Sequence, residues 1–188
     1  MNTINIDEKK LSFLDTKEIE RIRLNLKLIH PEVKNILISS TVEGEGKSSI
    51  ALALGMSMAN SGEKVLYVCS EYLGIFADNG GETGKHGSNL ENLDILIESG
   101  YNQLKEVGTY DYVIVDTKPL SVSNESIIYA DSCDMVLLVV EANRVNYKKI
   151  IESKKLLTFG KCRNIEVILN KTHRTYGIFR YKAKRLRK

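Results

Sequence analysis

The chain has 188 residues, of which 43% are hydrophobic and 27% are charged, values that suit one globular domain with a sizeable core. No apolar run approaches the roughly 18 residues of a membrane span, and the polar segment Met1 to Lys10 contains no signal-peptide core. We therefore expect a cytoplasmic protein. Its cysteines (Cys69, Cys133 and Cys162) and its histidines (His30, His86 and His173) are scattered, which argues against a metal or redox centre.

The first 30 residues form an N-terminal segment with a predicted helix. Apolar residues between Leu11 and Ile29 recur at helical spacing among charges, and His30-Pro31 ends the pattern. We expect this segment, residues 1–30, to pack on the core of the protein or on a neighbouring subunit.

The next stretch has the pattern of a phosphate-binding loop. An apolar run, Ile36-Leu37-Ile38, precedes the segment Ser39 to Ser49, and a helical segment, Ile50 to Ala59, follows it. The glycines allow backbone N–H groups to turn toward an anion, the lysine can reach the β- and γ-phosphates, and the serine after it can ligate Mg²⁺. Thr41 departs from the motif, because it occupies the first glycine position. The predicted nucleotide-binding residues here are Gly44, Glu45, Gly46, Lys47, Ser48 and Ser49.

Beyond this loop the chain alternates between strands and helices. We predict a buried strand over Lys64 to Cys69, a loop over Phe76 to Asn89 and a helix over Leu90 to Val107. A third strand, Tyr110 to Asp116, ends in an acid, and an aspartate at such a place holds Mg²⁺ in P-loop proteins. The remaining predicted elements are a helix over Asn124 to Ala130, a strand over Met135 to Val140, a helix over Tyr147 to Phe159 and a strand over Glu166 to Asn170.

This alternation predicts an α/β fold with a mainly parallel sheet and helices on both faces, the three-layer sandwich of P-loop NTPases. Residues 31–173 would form the nucleotide-binding domain. The last segment, residues 174–188, contains seven basic residues and no acid. Such a tail suits an anionic membrane surface, a nucleic acid or an acidic partner or, equally, a solvated terminus. We expect no specific nucleic acid.

On these motifs the chain resembles the cytoplasmic domain of the bacterial protein-tyrosine kinases that control capsular and exopolysaccharide export, which share their fold with the MinD and ParA ATPases. The resemblance follows the chain in order and is most specific at the P-loop and Asp116. It implies ATP and Mg²⁺ as ligands, with Lys47 and Asp116 as catalytic residues and Ser48 and Asp116 as metal ligands. It also implies that Asn170 reads the adenine.

The resemblance has further implications for acceptors and partners. The phosphate acceptors would be the C-terminal tyrosines, which here are Tyr176 and Tyr181. The partner would be a transmembrane polysaccharide co-polymerase that activates the kinase and recruits it to the inner face of the membrane. A homo-oligomeric ring is the assembly that the family suggests.

Several residues depart from the family pattern. The second strand of the family ends in an Asp-x-Asp motif, whereas this chain has Cys69 at the first acidic position and Glu71 at the second. A thiol is a poor ligand for Mg²⁺, so Glu71 is the candidate that replaces the lost carboxylate. The oligomerisation motif Glu-x-x-Arg-x-x-Arg keeps only Arg23, with Lys17 and Glu20 at its other positions.

Three functions therefore follow from the sequence. The first is a tyrosine kinase of reduced activity, and the second is a catalytically inactive regulator that binds nucleotide. The third is an ATPase switch of the MinD or ParA type, which would normally carry a further lysine early in the P-loop, where this chain has Val42 and Glu43.

Overall fold

Within the described residues, eight strands form one sheet and helices cover both of its faces. The computed structural model describes residues 3–12, 14, 16–70, 73, 76, 83–97, 108–160, 162 and 164–172. The strands are β1 Thr3–Ile4, β2 Asn35–Ser40, β3 Val65–Cys69, β4 Gly84–Ser88, β5 Leu93–Ile97, β6 Tyr112–Asp116, β7 Met135–Glu141 and β8 Asn164–Asn170. The helices are a short 3-10 helix Glu8–Leu11, α1 Thr16–Ile29, α2 Lys47–Ala59, α3 Glu125–Ala130 and α4 Tyr147–Phe159.

The strand order places β2, which leads into the P-loop, inside the sheet between β6 and β7. The order is β1-β4-β5-β3-β6-β2-β7-β8, and every neighbouring pair is parallel except β4 and β5. The carboxyl ends of β3, β6, β2, β7 and β8 therefore meet at one edge. Ligands of open α/β sheets bind at this edge.

Both faces of the sheet are apolar. On one face Ile36, Tyr67 and Ile114 pack in a core shared with α1 and α2, and on the other Leu37 and Val113 pack in a core shared with α3 and α4. Because side chains alternate along a strand, strands buried on both faces are nearly continuous apolar runs. The predicted α/β class with a mainly parallel sheet is confirmed.

Helix α1 begins later than predicted. The prediction started it at Leu11, whereas a 3-10 helix ends at that residue and α1 starts at Thr16. Asp7 caps the 3-10 helix, since its carboxylate accepts a hydrogen bond from the N–H of Lys9 at 3.1 Å. Helix α1 then packs against α2 of the same chain, where Arg23 donates to Ser57 at 3.2 Å.

The predicted helix over Leu90 to Val107 is wrong where the structure describes it. Leu93–Ile97 is strand β5, which pairs with β3, while residues 98–107 lie outside the described residues. Leu93, Ile95 and Ile97 alternate toward the α2 face. A short apolar run of this kind fits both a strand and a helical face, and pairing with β3 decides the outcome.

The predicted loop over Phe76 to Asn89 is also only partly correct, because Gly84–Ser88 forms strand β4 and Phe76 makes an isolated bridge with Ile6. The other predicted strands and helices are confirmed, with ends that shift by up to three residues. Among the described residues, no helix has the length and apolar character needed to cross a membrane.

Candidate nucleotide-binding site

The loop between β2 and α2 has the backbone conformation that anion binding requires. Gly44 and Gly46 have φ angles of 75° and 89°, in the left-handed region that glycine tolerates best. Gly46 is the N-cap of α2, so the first helical residue is Lys47. The N-terminus of this helix gives the site positive potential, to which backbone N–H groups of the loop can add.

Lys47, Ser48 and Asp116 meet at the carboxyl edge of the sheet. The Nζ atom of Lys47 donates to Ser48 Oγ at 3.0 Å and to Asp116 Oδ1 at 3.2 Å. Asp116 is 5% exposed, so its charge is almost fully withdrawn from water and Lys47 is its compensating cation. The lysine therefore bridges the P-loop and the end of β6.

The second carboxylate oxygen of Asp116 is bound by a tyrosine from the neighbouring strand. Tyr67, which is fully buried in β3, donates its hydroxyl to Asp116 Oδ2 at 2.9 Å. Burial raises the pKa of Tyr67 well above its ordinary value, and the charge of Asp116 raises it further. The tyrosine is therefore a neutral donor to the carboxylate.

Cys69 lies directly opposite Asp116. The two residues are register partners of the parallel pair β3 and β6, and Cys69 is 2% exposed. Cys69 and Tyr67 are two residues apart on one strand, so both face the core shared with α2. The strand position that carries an aspartate in the family pattern thus has a buried thiol.

Glu45 fastens the P-loop to β7. Its side chain is fully buried, and its two carboxylate oxygens accept hydrogen bonds from the N–H of Val42 at 2.8 Å and from the N–H of Glu141 at 3.0 Å. Both oxygens of the carboxylate are therefore engaged by backbone N–H groups, one in the loop and one at the end of β7. Any contact of Glu45 with a phosphate would come from its own N–H.

Asn170 and Lys171, at the end of β8, hold the loop from the other side. Asn170 donates its amide to the carbonyl of Glu45 at 2.8 Å, and Lys171 donates to the carbonyl of Gly44 at 2.8 Å. A Cβ atom at Gly46 would collide with the Asn170 amide. Position 46 therefore favours glycine on steric as well as conformational grounds. Lys171 has a φ of 52°, an uncommon conformation for a residue other than glycine.

Two basic residues share one acid beside Gly44. Glu141 Oε2 binds Arg144 at 2.7 Å and Lys171 at 3.1 Å. The hydrogen bond from Arg144, followed by that from Lys171, lowers the pKa of the Glu141 carboxyl. The guanidinium of Arg144 lies over Gly44, 3.1 Å from the place where a Cβ would be, so the rim of the loop is cationic.

These residues fit a nucleotide, and they fit its metal ion less completely. A left-handed glycine pair, a helix N-terminus and Lys47 form a phosphate cradle. Ser48 and Asp116 supply oxygen ligands of the kind that Mg²⁺ prefers, whereas the thiol of Cys69 does not. The part of the chain that the structure describes thus offers one carboxylate, Asp116, in contact with Lys47.

The structure brings together most of the residues predicted for the site. Ser49 lies in the first turn of α2 next to Ser48. Glu71, Tyr176 and Tyr181 lie outside the described residues. The residues that gather around the loop are Gly44, Glu45, Gly46, Lys47, Ser48, Asp116 and Asn170.

Four residues of the site escaped the sequence analysis: Tyr67, Glu141, Arg144 and Lys171. Lys171 follows Asn170 directly, and Tyr67 carries the one hydroxyl in the run Val65–Cys69. The sequence around each of them could therefore have pointed to a role in the site. Glu141 and Arg144 had none, because their contact with Gly44 depends on how the β7 end meets the loop.

The chain is similar to bacterial tyrosine-protein kinases over nearly its whole length. It is 27% identical to the tyrosine-protein kinase CpsD of Streptococcus agalactiae over 221 aligned positions, which cover 97% of this chain and 96% of the relative. It is 24% identical to the tyrosine-protein kinase YwqD of Bacillus subtilis, with 95% and 91% coverage. The resemblance predicted from the sequence is confirmed.

Solved structures give the same fold. The kinase domain of the Escherichia coli tyrosine kinase ETK superposes with a TM-score of 0.75 at 20% identity, covering 89% of this chain and 80% of that one. The septum site-determining protein MinD of Pyrococcus horikoshii, complexed with Mg-ADP, superposes with a TM-score of 0.60 at 19% identity, with 76% and 72% coverage. No protein-family model matches the chain. The P-loop NTPase sandwich predicted from the sequence is confirmed.

Proposed function

We propose that the chain, a relative of the bacterial tyrosine-protein kinases, binds ATP and Mg²⁺ and phosphorylates C-terminal tyrosines with reduced activity. The process that it regulates would be the synthesis or export of capsular polysaccharide or exopolysaccharide. The observation that carries this proposal is the contact of Lys47 with both Ser48 and Asp116 at the mouth of the glycine loop. In P-loop enzymes these three side chains bind phosphate and metal.

Each residue has a defined task in this proposal. Lys47 exchanges its contact with Asp116 for the β- and γ-phosphates, and the N–H groups from Gly44 to Ser49 bind the phosphate oxygens. Asn170, whose side-chain N–H donates to the Glu45 carbonyl, would contact the adenine through its side-chain carbonyl group. Ser48 and Asp116 would hold Mg²⁺, which would neutralise charge on the phosphates.

The reduced activity follows from Cys69. Phosphoryl transfer depends on positioning and charge neutralisation, and a single misplaced carboxylate can cost roughly 100-fold in rate. Cys69 faces Asp116 with a thiol in place of a hard oxygen ligand. Glu71, two residues further on, is the candidate substitute.

The partner and the location extend the proposal. The chain would respond to a transmembrane polysaccharide co-polymerase, which would hold it at the inner face of the cell membrane. The tail, residues 174–188, carries the acceptors Tyr176 and Tyr181 among seven basic residues. Each phosphate would add about −1.5 to −2 charge and weaken the attraction of this tail to an anionic surface.

A second function is favoured by a specific observation. Because Cys69 occupies the place opposite Asp116, the chain can keep its phosphate cradle and yet fail in catalysis. It would then be an inactive regulator of the export complex that binds nucleotide. An ATPase switch of the MinD type shares the fold, but the early lysine expected for it is absent from the sequence at Val42 and Glu43.

The test is phosphorylation of the purified full chain with ATP and Mg²⁺, with and without the cytoplasmic segment of a candidate co-polymerase. Phosphate on Tyr176 and Tyr181 is measured by mass spectrometry. Lys47→Ala removes the cation of the site, and Lys148→Ala, an exposed lysine on α4, is the matched control.

Phosphotyrosine that disappears in Lys47→Ala and persists in Lys148→Ala establishes the kinase. Unmodified tyrosines in a chain that still binds ATP would replace it with the regulator. A chain that binds no nucleotide would exclude both functions.

A further inference from the structure

The hydroxyl of Tyr67 is a polar group at the centre of an apolar core. Tyr67 is fully buried in the middle of β3, with Leu66 and Val68 on either side. A buried hydroxyl without a partner is costly, and this one is bound to Asp116 Oδ2 at 2.9 Å. The bond joins neighbouring strands at the edge where the nucleotide site lies.

This bond makes the two oxygens of Asp116 different. Oδ1 contacts Lys47 at 3.2 Å, and Lys47 also contacts Ser48, so Oδ1 faces the P-loop. Oδ2 is held by the tyrosine inside the protein. A rotation of the carboxylate would break the bond to Tyr67 and leave a buried hydroxyl unpaired, which opposes such a rotation.

Cys69 explains why the orientation of the Asp116 carboxylate matters in this site. Cys69, opposite Asp116, supplies no carboxylate to share the binding of a metal ion. Metal binding in the described part of the site therefore depends on the orientation of Asp116, together with the Ser48 hydroxyl. Groups that orient a metal ligand commonly change metal affinity 10- to 100-fold when they are removed.

We infer that Tyr67 is a positioning residue, whose hydroxyl fixes the carboxylate of Asp116 so that Oδ1 faces Lys47 and Ser48 for the Mg²⁺ of a bound nucleotide. The inference rests on the proposed nucleotide binding and goes beyond it, because it assigns a metal-orienting role to a residue of the core. A residue that only fills space would act through its ring. Tyr67→Phe separates the two roles, since it keeps the ring and removes the hydroxyl.

The experiment measures ATP affinity by calorimetry with Mg²⁺ and, separately, with EDTA. For Tyr67→Phe we expect the affinity in Mg²⁺ to fall about tenfold and the affinity in EDTA to change less than about twofold, since one hydrogen bond to a charged metal ligand is lost. The full chain is used, and circular dichroism checks that the variant is folded.

Tyr110→Phe is the matched control. Its hydroxyl also donates to an aspartate, Asp94 Oδ2 at 2.6 Å, but Asp94 lies near the start of β5, at the opposite edge of the sheet from Asp116. We expect this variant to bind ATP as the unmodified chain does, both in Mg²⁺ and in EDTA.

A double variant keeps the test decisive. If Tyr67 acts through Asp116, adding Tyr67→Phe to Asp116→Asn leaves the affinity in Mg²⁺ unchanged. An equal loss in Mg²⁺ and EDTA, no loss in either, or a full further loss in the double variant would overturn the inference while ATP binding by the unmodified chain stands. Failure of the unmodified chain to bind ATP would overturn the proposed function, and the inference with it.

Discussion

Cys69 is the strand residue at which this site departs from the kinase pattern that its sequence resembles. Cys69 and Asp116 are register partners, so a side chain at position 69 can act together with Asp116. A thiol there leaves the phosphate cradle intact, because Lys47 and the loop glycines do not depend on it. Binding and catalysis are therefore separable at this residue.

Restoring the acid tests this separation. We expect Cys69→Asp to raise Mg²⁺-dependent tyrosine phosphorylation by up to roughly 100-fold, because a second carboxylate would face Asp116 across the strands. The measurement is phosphotyrosine formed per minute, with Cys69→Asn as the uncharged control of similar size. Equal rates for the aspartate and asparagine variants would contradict this account of the lost activity.

Lys171 gives a second prediction for a residue. Lys171→Met removes the hydrogen bond to the Gly44 carbonyl and the ion pair with Glu141. Because the lysine side chain is 47% exposed, we expect a moderate loss of about threefold to tenfold in ATP affinity. Calorimetry measures it, with Lys148→Met on α4 as the control. Unchanged affinity would show that the loop keeps its shape without this lysine.

Three elements other than its own strand and helix hold the P-loop in place. β7 fixes it through Glu45, β8 fixes it through Asn170 and Lys171, and β6 meets it through Asp116. The Glu45 side chain that accepts two of these hydrogen bonds is fully buried, and the bonds themselves are partly buried, where an N–H left unpaired is costly. The shape of the loop is thus set before any ligand binds.

Glu45→Ala should therefore destabilise the fold itself. It leaves the N–H groups of Val42 and Glu141 without their acceptor, and we expect a loss of about 2–4 kcal/mol in the free energy of unfolding. Glu45→Gln, which keeps one acceptor oxygen, should lose less. Urea unfolding measures both variants. If Glu45→Ala were as stable as the unmodified chain, the carboxylate would have no such role.

The elements of the fold were predictable to the extent that their patterns were unambiguous. The glycine loop lies between a strand and a helix, as its pattern predicts, and the alternating apolar runs gave the parallel strands. The run Leu93–Ile97 was misassigned, because five residues fit either period and only the pairing with β3 makes it a strand. Strand β4, with two glycines among its five residues, lacks strand composition altogether.

The site was predictable where a motif names its residues. The motif gave Lys47, Ser48 and Asp116, which the structure brings into contact. The contact of Tyr67 with Asp116 depends on strand register, and that of Arg144 with Gly44 depends on the loop after β7. Both contacts join residues that are far apart in the sequence. Periodicity and spacing therefore could not predict them.

At the scale of the whole molecule, the N-terminal segment is integrated into the domain. β1 pairs with β4, and Arg23, the one position of the oligomerisation pattern that this sequence keeps, donates a hydrogen bond to Ser57 of α2 in the same chain. Lys27 of the same helix is bound to Glu63, at 2.6 Å. These contacts hold α1 against α2, the helix that follows the P-loop. The two helices therefore share one hydrophobic core.

The central claim is that this P-loop binds ATP through Lys47, and calorimetric titration of the full chain with ATP and Mg²⁺ tests it most directly. We predict saturable binding at one site, a loss of at least about tenfold in affinity for Lys47→Ala, and unchanged affinity for Lys148→Ala, because Lys47 contacts both Ser48 and Asp116 whereas Lys148 is an exposed residue of α4. Absence of binding, or equal affinity in Lys47→Ala and the unmodified chain, would contradict the claim.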